Sequence, residues 1–113
     1  MGLLEAGKNS MLDHLGSESV LVRLYDDADA EILNISSASQ DKTISWNSAT
    51  GGSMSMASSI DFEIPAGTTV GAISFRSADG ATEYARDVLA VENQETYTND
   101  GTYTLSTATF NLN

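Results

Sequence analysis

The chain has 113 residues, of which 16 are acidic and 5 are Lys or Arg, so its formal net charge at pH 7 is -11. The length is typical of one domain, and the charge argues against nucleic acid or an anionic membrane as a partner, because phosphates attract cationic surfaces. The sequence contains no Cys, which excludes disulfides, thiolate nucleophiles and sulfur-ligated metal sites.

The sequence also lacks the common targeting signals. No apolar run reaches the ~20 residues that a membrane helix needs, and the N-terminus lacks the basic start and apolar core of a signal peptide. We therefore expect a soluble protein that is made in a cytoplasm.

Residues 1–16 are predicted to form a helical arm. A helix over Leu3–Leu15 would end at Gly16, and Gly7 would weaken it by ~1 kcal/mol relative to Ala. We therefore expect its apolar face to dock on this domain or on a neighbouring subunit. The residues predicted for this assembly interface are Leu3, Leu4, Met11, Leu12 and Leu15.

An acidic turn separates the next two predicted strands, Val20–Tyr25 and Ala30–Ile35. Alternating carboxylates in such a turn are the kind of ligand that Ca²⁺ prefers. The segment lacks the Gly and the final Glu of the helix-loop-helix calcium motif, so a bare acidic turn is the favoured interpretation and we predict no bound metal. The candidate ligands are Asp26, Asp27, Asp29 and Glu31.

The stretch from Lys42 to Arg76 carries the clearest strand patterns. Thr43–Trp46 and Ile60–Ile64 alternate apolar and polar residues, as half-buried strands do. Val70–Phe75 is apolar on both faces and is predicted to be the central and most buried strand. A strand of small residues and methionines is expected before Ile60, and Pro65-Ala66-Gly67 is predicted to form a type I turn.

The last third of the chain continues the strand pattern. Asp79-Gly80 predicts a tight turn into a strand at Ala81–Asp87, and Thr102–Leu105 and Ala108–Leu112 follow. Short strands at this spacing predict an all-β fold for residues 17–113, an antiparallel β-sandwich or small barrel of about eight strands behind the short N-terminal helix.

No combination of residues in the sequence predicts catalysis. His14 is the only His, no Ser lies in a Gly-x-Ser-x-Gly elbow, and the pair Asp61 and Glu63 has the spacing of a solvated strand face. Trp46 alternates with Ile44, which is more typical of a core residue than of a sugar-binding platform. We therefore predict a protein that is not an enzyme and that has no cofactor.

Three segments together resemble a family of small structural proteins of tailed bacteriophages. They are the start MGLLEAGKNSMLDHL, the central ISWNSATGGSMSMASSIDFEIPAGTTVGAISFRSADG and the end GTYTLSTATFNLN. The family's strand-turn-strand pattern W-x-x-A-x-G-G-x-(small) matches the segment Trp46–Ser53, the P-A-G-T-T-V hairpin matches Glu63–Phe75, and G-T-Y-T-(L/V) matches Gly101–Leu105. Arg23–Asp27 replaces the H-T-x-D-P segment common in relatives.

This resemblance implies a non-enzymatic virion component that packs against other virion proteins. Its most concrete form is a decoration or cement protein on the capsid lattice, with the major capsid protein as its partner and a homo-oligomer, such as a trimer, as its state. The alternative is a tail, baseplate or fibre component that binds host glycans through aromatic and acidic loops. Either role implies a location in the virion after synthesis in the host bacterial cytoplasm.

Overall fold

A computed structural model describes residues 4–112. It contains one α-helix, nine strands and one 3₁₀ turn in this part of the chain. In chain order they are α1 Glu5–Glu18, β1 Leu21–Asp26, β2 Lys42–Thr43, β3 Ser53–Ser55, β4 Ile60–Ile64, β5 Thr68–Arg76, β6 Glu83–Val88, the 3₁₀ turn Val91–Asn93, β7 Glu95–Tyr97, β8 Gly101–Leu105 and β9 Thr109–Asn111.

Strand β5 is the centre of the main sheet. It pairs with β1 along one edge, and β6 and β7 follow each other along its other edge, while β2 extends the sheet beyond β1. Six consecutive β5 residues, Val70–Phe75, are buried, which confirms the predicted central strand. Two smaller antiparallel pairs, β3 with β9 and β4 with β8, complete the strand pairing.

The larger hydrophobic core joins the main sheet to the β4–β8 pair. Val22 and Phe75 from the main sheet share a cluster with Phe62 of β4 and Leu105 of β8. The predicted all-β antiparallel architecture behind an N-terminal helix is therefore present.

The helix begins and ends later in the chain than the sequence predicted. It begins at Glu5 and ends at Glu18, so Gly16 lies inside it and does not stop it. A Cβ atom at Gly16 would lie 2.9 Å from Met54 Sδ and 3.4 Å from Trp46 Cδ1. This glycine is therefore explained by the close approach of the helix to its own domain.

The predicted strand at Ala30–Ile35 is wrong, because only Glu31 forms a bridge there, to Tyr25. The Asn34 side chain accepts hydrogen bonds from Ser36 N and Ala38 N, both at 2.9 Å. Such local bonds compete with a strand ladder and favour a turn.

Two further predictions need correction. The expected strand Thr43–Trp46 is reduced to β2, and Trp46 joins Met56 only by an isolated bridge. At the predicted type I turn, Gly67 takes φ +84°, which is the conformation of the third position of a type II turn.

Candidate functional site

A row of side-chain acceptors fixes helix α1 to the domain. Glu5, Asn9 and Asp13 are four residues apart and so share one helix face. They accept hydrogen bonds from three backbone N–H groups of the turn that follows Trp46. The donors and N···O distances are Gly51 to Glu5 at 3.0 Å, Gly52 to Asn9 at 3.0 Å, and Ala49 to Asp13 at 2.8 Å.

The apolar part of the same contact centres on Leu12. Its side chain is 1% exposed and belongs to a small core cluster with Ala49 and Met54. The Trp46 indole Nε1–H donates to the carbonyl oxygen of Ser19, just past the helix, at 2.9 Å. The segment Trp46–Gly52 therefore forms the surface of the domain against which the helix packs.

The predicted assembly interface is divided by this docking. Leu12 is buried in its own domain, Leu15 is half-buried, and Leu3 lies outside the described residues. Leu4 and Met11 remain 82% and 53% exposed. Leu4 directly precedes the first helical residue in an extended conformation, and Met11 lies on the helix itself. We call Leu4 and Met11 the outer stripe of α1.

The structure does not bring the four acidic-turn residues into one metal-ligand set. Asp26 Oδ1 accepts hydrogen bonds from Ala28 N and Ala30 N, both at 2.9 Å, and Glu31 Oε2 accepts from Ser39 Oγ at 2.8 Å. Asp29 pairs with Arg86, and Asp27 is exposed. Among residues 4–112, no group of three or more His, Asp or Glu side chains is placed to hold a metal ion.

The three arginines form an ionic layer on the outer face of the main sheet. Arg23 makes a bidentate contact with Asp41, with Nε–Oδ1 and Nη2–Oδ2 distances of 2.9 and 2.7 Å. This hydrogen bonding is the main cause that raises the pKa of the Arg23 guanidinium above its ordinary value. Arg76 and Arg86 both contact Glu83, at 3.4 and 3.0 Å.

Tyr25 and Ser74 complete this layer. The Arg86 guanidinium lies 4.2 Å from the centre of the Tyr25 ring, close enough for a cation–π interaction. The Ser74 hydroxyl donates to Glu83, and this bond, followed by the contact with Arg86, lowers the pKa of the Glu83 carboxyl. Arginines of this layer therefore have partners inside the domain.

The ionic layer determines where the net charge of the protein lies. Its three arginines are paired with Asp29, Glu31, Asp41 and Glu83. Twelve of the 16 acidic residues and both lysines remain outside it, so the rest of the surface carries a formal charge of -10. Within residues 4–112, neither Lys8 nor Lys42 forms an ion pair.

A groove of about 390 Å³ lies between the β6 and β9 segments. Ala85–Asp87 line one side, Ala108–Phe110 line the other, and Phe75 contributes from β5. Phe110 stacks on Trp46 with ring centroids 4.8 Å apart and meets Phe75 edge-on at 5.4 Å. The groove therefore has an aromatic floor with one exposed carboxylate, Asp87, beside it.

Tyr97 and Tyr103, in the last third of the chain, lie partly buried in the fold. The Tyr97 hydroxyl lies 2.8 Å from Glu95 Oε2 and 3.1 Å from the Thr102 carbonyl oxygen. Burial and then the bond to Glu95 raise the Tyr97 pKa, and burial also raises that of Tyr103. His14, the one histidine, is exposed on α1 with Nε2 3.8 Å from Glu18 Oε1.

Sequence reasoning missed the acceptor row and the ionic layer. The acceptor row had a signal, the spacing of Glu5, Asn9 and Asp13 on one helix face. No sequence pattern indicated the ionic layer, because the partners of Arg23 and Arg86 depend on strand register and on the path of the loop after β1.

No helix within the described part of the chain is both long and apolar enough to cross a membrane. Comparisons with protein-family models, with curated proteins and with solved structures found no match.

Proposed function

We propose that this chain is a non-enzymatic structural component of a bacteriophage virion, a decoration or cement protein that binds the capsid lattice through helix α1. The proposal begins from the resemblance of its helix, its Trp46–Gly52 turn and its hairpins to small tailed-phage structural proteins. Its partner is the major capsid protein. The antiparallel sheets form an open β-sandwich or small barrel that presents the helix.

The outer stripe of α1 is the observation that carries this proposal. One helix face is held by three hydrogen bonds and by buried Leu12, so the helix has a fixed orientation on the domain. Exposed Met11 is then presented to a partner without a further ordering cost for the helix backbone, and exposed Leu4 lies just before the helix N-terminus. Burying a side chain of this size contributes about 1.5–3 kcal/mol.

The charge distribution supports a partner with a basic surface. Outside the ionic layer the chain has twelve acidic residues and only two lysines. Complementary charge accelerates encounter with a positive patch, and this effect is screened by salt. We therefore expect binding to capsid shells to weaken between 50 and 500 mM NaCl.

The test is cosedimentation with expanded shells assembled from the major capsid protein of the phage that encodes the chain. Met11→Asp should weaken binding by about tenfold or more, because it removes apolar contact and places a charge in the interface. Val91→Asp is the matched control, since Val91 is 81% exposed but lies on the 3₁₀ turn. Equal binding by the wild type and the Met11 variant would refute the role of the outer stripe.

The number of copies per virion separates the capsid role from the alternative. Hundreds of copies, measured by quantitative mass spectrometry of purified virions, support decoration of the capsid surface. A few copies or a few tens would instead place the chain in a tail, baseplate or fibre. A homo-oligomer, which we also propose, should be favoured by high salt in sedimentation experiments, because copies with a net charge of -11 repel each other.

A further inference from the structure

The groove between β6 and β9 lies between two strand edges. Sheet order places β6 at one end of the main sheet and β9 at the end of its pair with β3. Three consecutive residues from each side, Ala85–Asp87 and Ala108–Phe110, line the groove. The cavity is therefore flanked by backbone along both walls.

Hydrogen-bond alternation shows which backbone groups of β6 face away from β5. Leu89 N–H donates to Gly71 O at 2.9 Å, so Leu89 and Gly71 form a hydrogen-bonded pair. In the same register Asp87 lies opposite Ile73, two residues further along each strand, and is the next bonded position. Bonded and non-bonded pairs alternate in an antiparallel ladder. Arg86 and Val88 therefore direct their N–H and C=O groups to the open edge.

The same reasoning applies to β9. Leu112 N–H donates to Gly52 O at 2.9 Å, and Met56 N–H donates to Ala108 O at 3.0 Å. Thr109 and Asn111 lie at the alternate positions and direct their backbone groups away from β3. Within residues 4–112, no strand occupies the outer side of β6 or β9.

The chemistry of the groove selects its occupant. Two unpaired strand edges match an extended peptide backbone, and the aromatic floor with small Ala85 and Ala108 has room for medium-sized apolar side chains. Asp87 lies opposite core residue Ile73 in the register, so its carboxylate is on the groove side of β6. It is exposed and has no ion pair among the described residues, so a Lys or Arg fits beside it.

The β6 and β9 edges of a second copy do not supply these features. The β9 segment Thr109–Asn111 has no basic residue, and Arg86 of β6 is engaged by Glu83 and Asp29. An inward-facing acid on an edge strand, such as Asp87, further discourages pairing of like edges.

We propose that this groove binds an extended segment of a partner protein by strand addition, with apolar side chains over Phe75 and Phe110 and a Lys or Arg beside Asp87. The inserted segment pairs with the open edge of β6 or β9, or bridges both. This surface is separate from the outer stripe of α1, so the two proposals can fail independently.

The probe is a palindromic seven-residue peptide, acetyl-Lys-Thr-Val-Thr-Val-Thr-Lys-amide, whose alternate residues present Lys and Val on one face in either direction. Its control carries Pro in place of the central Thr, which keeps the charge and removes one backbone donor. Titration of ¹⁵N-labelled protein should give saturable NMR shifts centred on Arg86, Val88, Thr109 and Asn111. The Pro peptide should bind at least threefold more weakly.

Two protein variants test the contacts. Asp87→Asn should weaken binding of the peptide about two- to fivefold, as expected for an exposed ion pair, whereas Asp27→Asn makes the same charge change on the acidic turn and should not. Thr109→Pro removes an edge N–H without touching the β3 ladder and should weaken binding about three- to tenfold, the effect of one hydrogen bond.

Three results would overturn the proposal. One is the lack of saturable shifts at millimolar peptide. Another is shifts spread over the acidic surface with equal strength for both peptides, which would indicate charge attraction alone. The third is a dimer whose interface, mapped by the same amide shifts at high salt and high protein concentration, is this groove.

Discussion

Replacement of Leu12 by Ala tests whether helix α1 is part of the folded domain. The Leu12 side chain is 1% exposed and packs with Ala49 and Met54, and Trp46 and Phe110 border this cluster. Truncation of a buried Leu to Ala typically costs 2–5 kcal/mol, including the cavity that it leaves. For a domain of this size we expect the melting temperature to fall by roughly 10 °C or more.

The assay is urea and thermal unfolding followed by circular dichroism and by Trp46 fluorescence. Trp46 reports on docking because its indole bonds to Ser19 O at the end of the helix. Met11→Ala is the control, since the adjacent side chain is 53% exposed and such surface changes stay within about 0.5 kcal/mol. Equal effects of the Leu12 and Met11 variants would refute the docked helix, and fast hydrogen exchange of the α1 amides in the wild type would do the same.

Three further changes follow from individual contacts. The Ser74 hydroxyl lowers the pKa of Glu83 from its ordinary 4.5, so the contribution of Glu83 to stability is present above pH 4.5 and is lost as pH falls through the lowered value. Glu83→Gln should therefore reduce the loss of stability on acidification, and an unchanged loss would contradict this. Ser19→Ala removes a buried hydroxyl that has no hydrogen-bond partner among the described residues, so unfolding in urea should show unchanged or higher stability, by up to about 1–3 kcal/mol. Gly71→Ala places a Cβ 2.7 Å from the Asp26 carbonyl oxygen and should lower the free energy of unfolding by about 1–3 kcal/mol, because β1 and β5 must separate. An unchanged stability would show that the two strands are less closely packed at Gly71.

The strands that the sequence predicted best are those whose pattern is set by burial. Ile60–Ile64 alternates because one face meets the core. Val70–Phe75 is continuously buried because β5 lies between neighbouring strands, one face meets the core, and the other, at Ser74, is covered by the ionic layer. The segment after β1 has a similar apolar content but forms loops. There the side chains of Asp26 and Asn34 bond to nearby backbone N–H groups, and this local competition is not visible in apolar periodicity.

The helix shows a second reason for failure of prediction. Its apolar residues predicted one docking face, but the structure uses the acceptors Glu5, Asn9 and Asp13 together with Leu12. The helix faces a turn whose backbone N–H groups need acceptors, so carboxylate and amide oxygens are useful there. Polar residues on one side of a helix are therefore informative about docking, whereas the apolar pattern alone predicts an interface without showing which face docks.

Phe110 connects the docked face of helix α1 to the groove. It borders the Leu12 cluster under helix α1, and it also lines the groove between β6 and β9. Undocking of the helix would leave Phe110 and its neighbour Trp46 less constrained. An inserted strand would then have to order both side chains, which makes its binding less favourable. Leu12→Ala should therefore weaken binding of the peptide in the groove, while Met11→Asp, which changes only the outer stripe, should leave it unchanged. If Leu12→Ala lowers stability but leaves peptide affinity intact under conditions where the domain is folded, Phe110 does not couple the helix to the groove.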